Sequence, residues 1–134
     1  MSALSVGDVI AQQQFHLTRD TLVRYAGASG DFNTIHYRDD IAAAVGLPGV
    51  LAHGMLTMGV AVQPVVDQLA DAGAIVDYQV RFTRPVVVDP QEGALLDVVA
   101  TIGAVEDDVT RVDLTVTVAG QTVLGKAQVR VSFS

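Results

Sequence analysis

The chain of 134 residues contains no cysteine. That absence excludes a disulfide framework, a thiolate nucleophile and a Cys-ligated metal, and it is compatible with a reducing compartment. Charge is scarce too: Asp, Glu, Lys and Arg make up 17% of the residues, against about 25% in an average domain. Basic residues are the scarcer sign, 8 against 15 acidic, for a formal net charge of −7. Such a chain meets phosphates with repulsion instead of releasing their counterions, so neither nucleic acid nor anionic lipid is an expected partner. No P-loop and no Gly-x-Gly-x-x-Gly pattern occurs, which leaves nucleoside triphosphates and dinucleotides without a recognisable cradle. Gly27-Ala28-Ser29-Gly30-Asp31 is not a nucleophile elbow, because that motif needs glycine where Asp31 stands. The longest run without a charged residue, 41–66, is broken by Gly46, Pro48, Gly49, His53, Gly54, Gln63 and Pro64, so no membrane insertion is expected. The opening residues carry neither a basic region nor an apolar stretch of signal-peptide length, and a cytoplasmic location is expected.

Apolar residues, by contrast, reach 50% before glycine is counted. A lone domain of this size has too little polar surface to cover that excess, so part of it should be hidden against another chain. No repeat, linker or low-complexity tract divides the sequence, and one domain over residues 1–134 is expected.

The first half carries helix signals and the second half strand signals, an α+β pattern. Thr18 can cap a short helix through Leu22, Val23, Tyr25 and Ala26, with Asp20 in its first turn and Gly27 and Gly30 available to end it. A loop follows over 30–37, then a second short helix from Asp39 through Val45, closed by Gly46. From Gly54 to about Ala70 the chain is apolar on nearly every side, which predicts a helix enclosed by other structure, with a bend or break at Pro64. Beyond Gly73 the period changes to two. Tyr78, Val80 and Phe82 form one alternating set, Val112, Leu114, Val116 and Val118 another, and Ala127, Val129, Val131 and Phe133 a third. Strands over 95–105 and 9–17 complete five or six, with hairpin turns at 106–108 and 119–121. One long apolar helix with these strands implies an antiparallel sheet curled round the helix.

Candidate chemistry concentrates in Gly30-Asp31-Phe32-Asn33-Thr34-Ile35-His36. Fully extended, residues 31 and 36 would stand about 17 Å apart, so a turn must bring them together, and Gly30 and Asn33 favour one. A carboxylate and a neutral imidazole sharing a water can remove one proton and donate another, as addition of water across a polarised double bond requires. The residues alone leave a plainer reading open, in which Asp31 caps a turn and His36 is a satisfied, half-buried histidine. A metal held by Asp31, His36 and His53 fits no usual ligand spacing, and neither a metal nor a redox cofactor is expected. His53-Gly54 precedes the apolar helix, so the Gly54 N–H can hold an oxygen that gains negative charge, or Gly54 can simply permit close packing. Arg81 and Arg84 suit the phosphates of an acyl carrier, or are solvated strand-face charges.

Three segments carry a family resemblance: Tyr25-Ala26-Gly27-Ala28-Ser29-Gly30-Asp31-Phe32-Asn33-Thr34-Ile35-His36, Ala52-His53-Gly54-Met55-Leu56-Thr57, and Val80-Arg81-Phe82-Thr83-Arg84-Pro85-Val86. Together they resemble the MaoC-like, or R-specific enoyl hydratase, branch of the hot dog fold, and in particular the catalytic subunit type of actinobacterial (3R)-hydroxyacyl-ACP dehydratases. The resemblance implies that Asp31 and His36 are the catalytic pair, that Asn33 supports their geometry, and that the Gly54 N–H binds a thioester carbonyl. It implies reversible hydration of a trans-2-enoyl thioester, on CoA or acyl carrier protein, to the (3R)-3-hydroxyacyl thioester. The acyl chain would lie along the apolar helix, with Met55, Met58, Gly59 and Val62 shaping its tunnel. Related proteins pair as dimers whose sheets join edge to edge, here with an identical chain or a paralogous hot dog subunit. A noncatalytic acyl-binding subunit and a hot dog acyl thioesterase are the alternatives on the same fold. One departure stands out: the family usually has proline after the Asn, and Thr34 removes that fixed φ.

Overall fold

The computed structural model describes residues 4–132, so the Phe133 end of the last alternating set lies outside the described residues. The elements run β1 (Val9–Leu17), α1 (Arg19–Ser29), a 3-10 turn (Thr34–His36), α2 (Asp39–Ala44), α3 (Gly54–Val66), a second 3-10 turn (Ala72–Ala74), β2 (Ile75–Phe82), β3 (Ala94–Glu106), β4 (Val109–Val118) and β5 (Gln121–Ser132). The strands form one antiparallel sheet in the order β1-β3-β4-β5-β2. The alternation in the sequence decides which face is buried. In β3, Leu96, Val98, Ala100 and Ile102 point inward, and across the ladder Val112, Leu114 and Val116 of β4 do the same. Ala127, Val129 and Val131 extend this face onto β5. Both hairpins close through two residues, with Asp107 at φ 44° in one and Ala119 and Gly120 at 50° and 77° in the other, the left-handed geometry that matches the twist of paired strands. Among the described residues no helix is long and apolar enough to cross a membrane.

Helix α1 starts and stops on the predicted signals. The Thr18 hydroxyl accepts from the Thr21 N–H at 3.2 Å while Thr21 accepts from the Thr18 N–H at 3.1 Å, a reciprocal cap. Gly30, at φ 77°, ends the helix in a conformation that costs other residues more; Gly27 lies inside it. Helix α2 stops at Ala44, one residue early, with Val45 as its cap.

Helix α3 packs across β1, β3 and β4, as a sheet curled about it requires. Its end needs correction: the helix stops at Val66 instead of near Ala70, two residues past Pro64, which lies inside it and does not break it. Pro64 sits in the last turn, where its missing N–H removes one bond, and the ladder continues from Asp67 N–H to Gln63 O before tightening to i−3 bonds at Gln68 and Leu69. Nor does this chain enclose the helix on every side. Leu56, Thr57, Ala61, Pro64 and Val65 face the sheet, whereas Met55 (60% exposed), Gly59 and Gln63 form an outward stripe at i, i+4, i+8.

Candidate active site

The loop after α1 is shaped by its own short polar side chains. Asp31 N–H donates to Ser29 Oγ at 3.1 Å, Asn33 N–H to Asp31 Oδ1 at 3.2 Å, and Ile35 N–H to Asn33 Oδ1 at 3.2 Å. Each bond spans two residues, the local turn chemistry of Asx and Ser side chains, and together they coil the loop into the 3-10 turn that turns His36 inward.

Long-range bonds then fasten this loop to the strand-like segment before α3. Leu51 N–H donates to Ile35 O at 3.0 Å, His36 Nδ1 donates to Leu51 O at 2.7 Å, and His53 Nε2 donates to Asp31 O at 3.1 Å. Segment 50–52 is itself anchored by Ala52 N–H to Val86 O and Val88 N–H to Val50 O, both 2.9 Å. A carbonyl only accepts, so the proton of His36 lies on Nδ1 and that of His53 on Nε2. His36 is therefore left with Nε2 as its second functional nitrogen.

The consequence is convergence. A carboxylate oxygen of Asp31 and ring nitrogens of His36 and His53 all lie within 4.8 Å of one another. The two imidazoles stack, with centroids 3.9 Å apart and planes 22° from parallel, and Tyr25 meets His53 edge-on at 4.7 Å. Burial holds His53 below the ordinary imidazole value, reinforced by neighbouring His36 and opposed by its bond to Asp31 O and the Asp31 charge. His53 is thus a neutral ring.

The same stacking bears on metal binding. An ion needs nitrogen at about 2.0–2.1 Å along the in-plane lone pair. Between two nearly parallel rings 3.9 Å apart, an ion equidistant from both would sit above each ring face, off both lone pairs. The three residues do not fit a shared ion.

Gly54 opens α3 directly after His53. No side chain caps this helix, and its first i−4 bond runs from Thr57 N–H to His53 O at 3.1 Å, so the earlier N–H groups point outward at the positive end of the helix dipole. Gly54 also lines a cavity of about 230 Å³ with Thr57, Phe82, Thr83, Arg84 and Leu124. A Cβ at position 54 would stand 3.0 Å from the Phe82 ring, so glycine keeps this entrance open.

The remaining candidates separate. Arg84 belongs to the Gly54 cavity and donates to Thr122 O at 2.9 Å; Arg81 lines a different hollow beside Gln79, Val80 and Lys126. Arg81 belongs to β2 and Arg84 lies beyond its end. Met55 and Gly59 border an open groove with Tyr25, Val60 and Gln63, Val62 is half-buried against the core, and Met58 contributes its carbonyl to the Tyr78 hydroxyl at 2.6 Å. Of these four, Met55 and Gly59 share one groove. Two contributors escape a reading of the sequence: the Leu51 carbonyl, which any residue type would supply, and the Phe82 ring against Gly54.

Comparison with known proteins bears on the family and the fold. Residues 3–122 match the MaoC like domain family. The 3-hydroxyacyl-thioester dehydratase X of Mycobacterium tuberculosis is 36% identical over 77 residues, which cover 58% of this chain and 26% of that relative's length. A solved MaoC-like dehydratase superposes with a TM-score of 0.93 at 37% identity, over 98% of this chain and 41% of the other. The (R)-hydratase of A. caviae involved in PHA biosynthesis shares the fold along the full length of both chains, with a TM-score of 0.86 at 20% identity. The expected α+β hot dog architecture is the observed one.

Proposed function

Because this chain belongs to the MaoC-like domain family, we propose that it catalyses the reversible hydration of trans-2-enoyl thioesters to (3R)-3-hydroxyacyl thioesters, carried on CoA or acyl carrier protein. The observation that carries this reading is the convergence of the Asp31 carboxylate and the His36 ring within 4.8 Å, at the foot of a helix whose first N–H groups have no side-chain cap. In the hydration direction the thioester oxygen is held by the Gly54 N–H, which draws electron density from C3. One member of the Asp31–His36 pair takes a proton from water as its oxygen bonds C3, and the pair returns one proton to C2. Protons and electrons balance within the pair, and dehydration is the same path reversed. Asn33 acts through the loop it shapes. Arg84, at the Gly54 cavity, suits the phosphates of the carrier better than Arg81.

A dimer fits the same reading. The outward stripe of α3 and the exposed Val76 and Phe82 of edge strand β2 offer apolar surface to a second hot dog subunit, identical or paralogous, in the cytoplasm. Sedimentation alone and with candidate paralogues tests this.

The experiment for the activity is a steady-state assay across enoyl-CoA chain lengths, following loss of the conjugated enoyl absorbance and the chirality of the product. Production of (3R)-hydroxyacyl thioester is the expected result. Acyl binding with no loss of absorbance would favour a noncatalytic subunit, and release of free thiol in step with substrate loss would favour a thioesterase.

A further inference from the structure

We infer that His53 is a positioning residue, which sets the relative placement of Asp31 and His36 through one hydrogen bond and one ring contact and does not itself meet substrate; this role rests on the hydratase reading above. His53 is 1% exposed, and its two nitrogens have different fates. Nε2–H donates to the Asp31 carbonyl across 22 residues of chain, fixing the backbone that carries the carboxylate. Nδ1 is buried and finds no partner among the described residues, so the ring has no route for exchanging a proton with a ligand in the open cleft.

The ring faces do the rest. His53 makes an edge contact with Tyr25 and stacks on the face of His36, and the plane of His36 is thereby set from one side while its Nδ1 is set by Leu51. Asp31 itself is exposed, and among the described residues its other bonds reach only Ser29 and Asn33. Without the bond from His53 the nearest long-range fastening of the loop would be four residues away, at Ile35 and His36, and the stretch that carries the carboxylate would rest on Ser29 and Asn33. A phenylalanine here would keep the stack and remove the orphaned Nδ1, so the place of a histidine is explained by its Nε2 donor.

His53→Phe keeps a ring and loses the donor, whereas His53→Gln puts an amide donor near the Nε2 position and loses the stack. With a four-carbon enoyl-CoA, His53→Phe is expected to lower kcat about 100-fold, the scale of a 1 Å misplacement, with KM within about threefold of the parent. His53→Gln is expected to recover about tenfold of that loss. In both variants the ¹⁵N resonances of the His36 ring should move while the global fold stays that of the parent. A folded His53→Phe protein with parental kcat would overturn the inference. So would losses in both variants that track the folded fraction while the His36 resonances stay in place. If His53→Phe does not fold, His53→Gln with parental kcat and unmoved His36 resonances would overturn it equally. A parent protein without enoyl turnover would sink the hydratase reading instead, and the His36 resonances would still test the positioning.

Discussion

His36 donates through Nδ1 to the backbone carbonyl of Leu51 at 2.7 Å, and that single bond fixes the tautomer of the ring. The nitrogen left over, Nε2, accepts in the neutral ring and donates in the charged one, which is what a residue alternating between base and acid requires. Asp31 lies across from it on a loop that is exposed yet held in shape by Ser29, Asn33 and His53.

Removing either partner should therefore cost chemistry before it costs structure. Asp31→Asn keeps the oxygen that accepts from Asn33 N–H and is expected to fold normally while kcat falls about 10²–10⁴-fold. His36→Ala should lose a similar factor and also leave the Leu51 carbonyl unpaired, at a cost of about 1–3 kcal/mol. Steady-state rates on enoyl-CoA, with thermal midpoints measured in parallel, check both. Near-parental rates in either variant would remove that residue from the mechanism.

Thr34 is a site where the usual proline can be restored. Asn33, the residue before it, has φ −58° and ψ 126°, a conformation that a following proline favours. Thr34 is also the first residue of the 3-10 turn, where a backbone N–H has no helical partner and its loss is tolerated. Thr34→Pro should thus raise stability by about 0.4–1 kcal/mol, by narrowing the unfolded ensemble, and leave kcat within about twofold. Denaturant unfolding together with the enoyl assay tests the pair of statements; a fall in stability would show that the loop needs the Thr34 N–H.

Much of this architecture was legible because its signals are local. The inward sets of β3, β4 and β5 follow from strict alternation, and α1 follows from Thr18 at one end and Gly30 at the other. Where the chain breaks its own pattern, periodicity is silent. In β5 the neighbours Val123 and Leu124 are both buried, and Lys126 takes φ 44° beside a register shift against β4; nothing about a lysine announces a bulge. The candidate site was legible to the same extent. Asp31, Asn33 and His36 sit within six residues of one another, so a turn suffices to join them. The bond from His53 to Asp31 O spans 22 residues and depends on how the segment before α3 lies against the loop, which only tertiary packing decides.

Gly54 is the position where space and stability should come apart. A Cβ there meets the Phe82 ring at 3.0 Å, but that ring is 56% exposed and can swing away. Gly54→Ala is then expected to change stability by no more than about 1 kcal/mol, since helix propensity favours alanine. The displaced ring and the added methyl both intrude on the cavity at the first turn, so kcat/KM should fall about tenfold or more. Loss of one well-placed oxyanion donor costs about 10²–10³ in kcat elsewhere, and a fall of that size would mean the N–H itself has been blocked. Parental kcat/KM would exclude this entrance from the substrate path.

The buried His53 also predicts how stability responds to acid. Burial lowers its value in the folded chain, whereas in the unfolded chain it titrates near 6.5. Between those two values the unfolded state binds the extra proton, so protons favour unfolding there. The contribution is fully present above about pH 7 and is lost as the pH falls through 6.5 toward the folded value. Asp39, whose hydrogen bond to Arg19 lowers its value, and Asp89, lowered by bonds from the Glu92 and Gln91 N–H groups, act in the same direction, but only as the pH enters the carboxylate range near 4. Two limbs are expected in a plot of unfolding free energy against pH, and His53→Gln should flatten the upper one while leaving the lower intact. Urea unfolding of both proteins at half-unit steps from pH 7.5 to 4 reads this directly, and an upper limb unchanged by the substitution would show that His53 does not carry it.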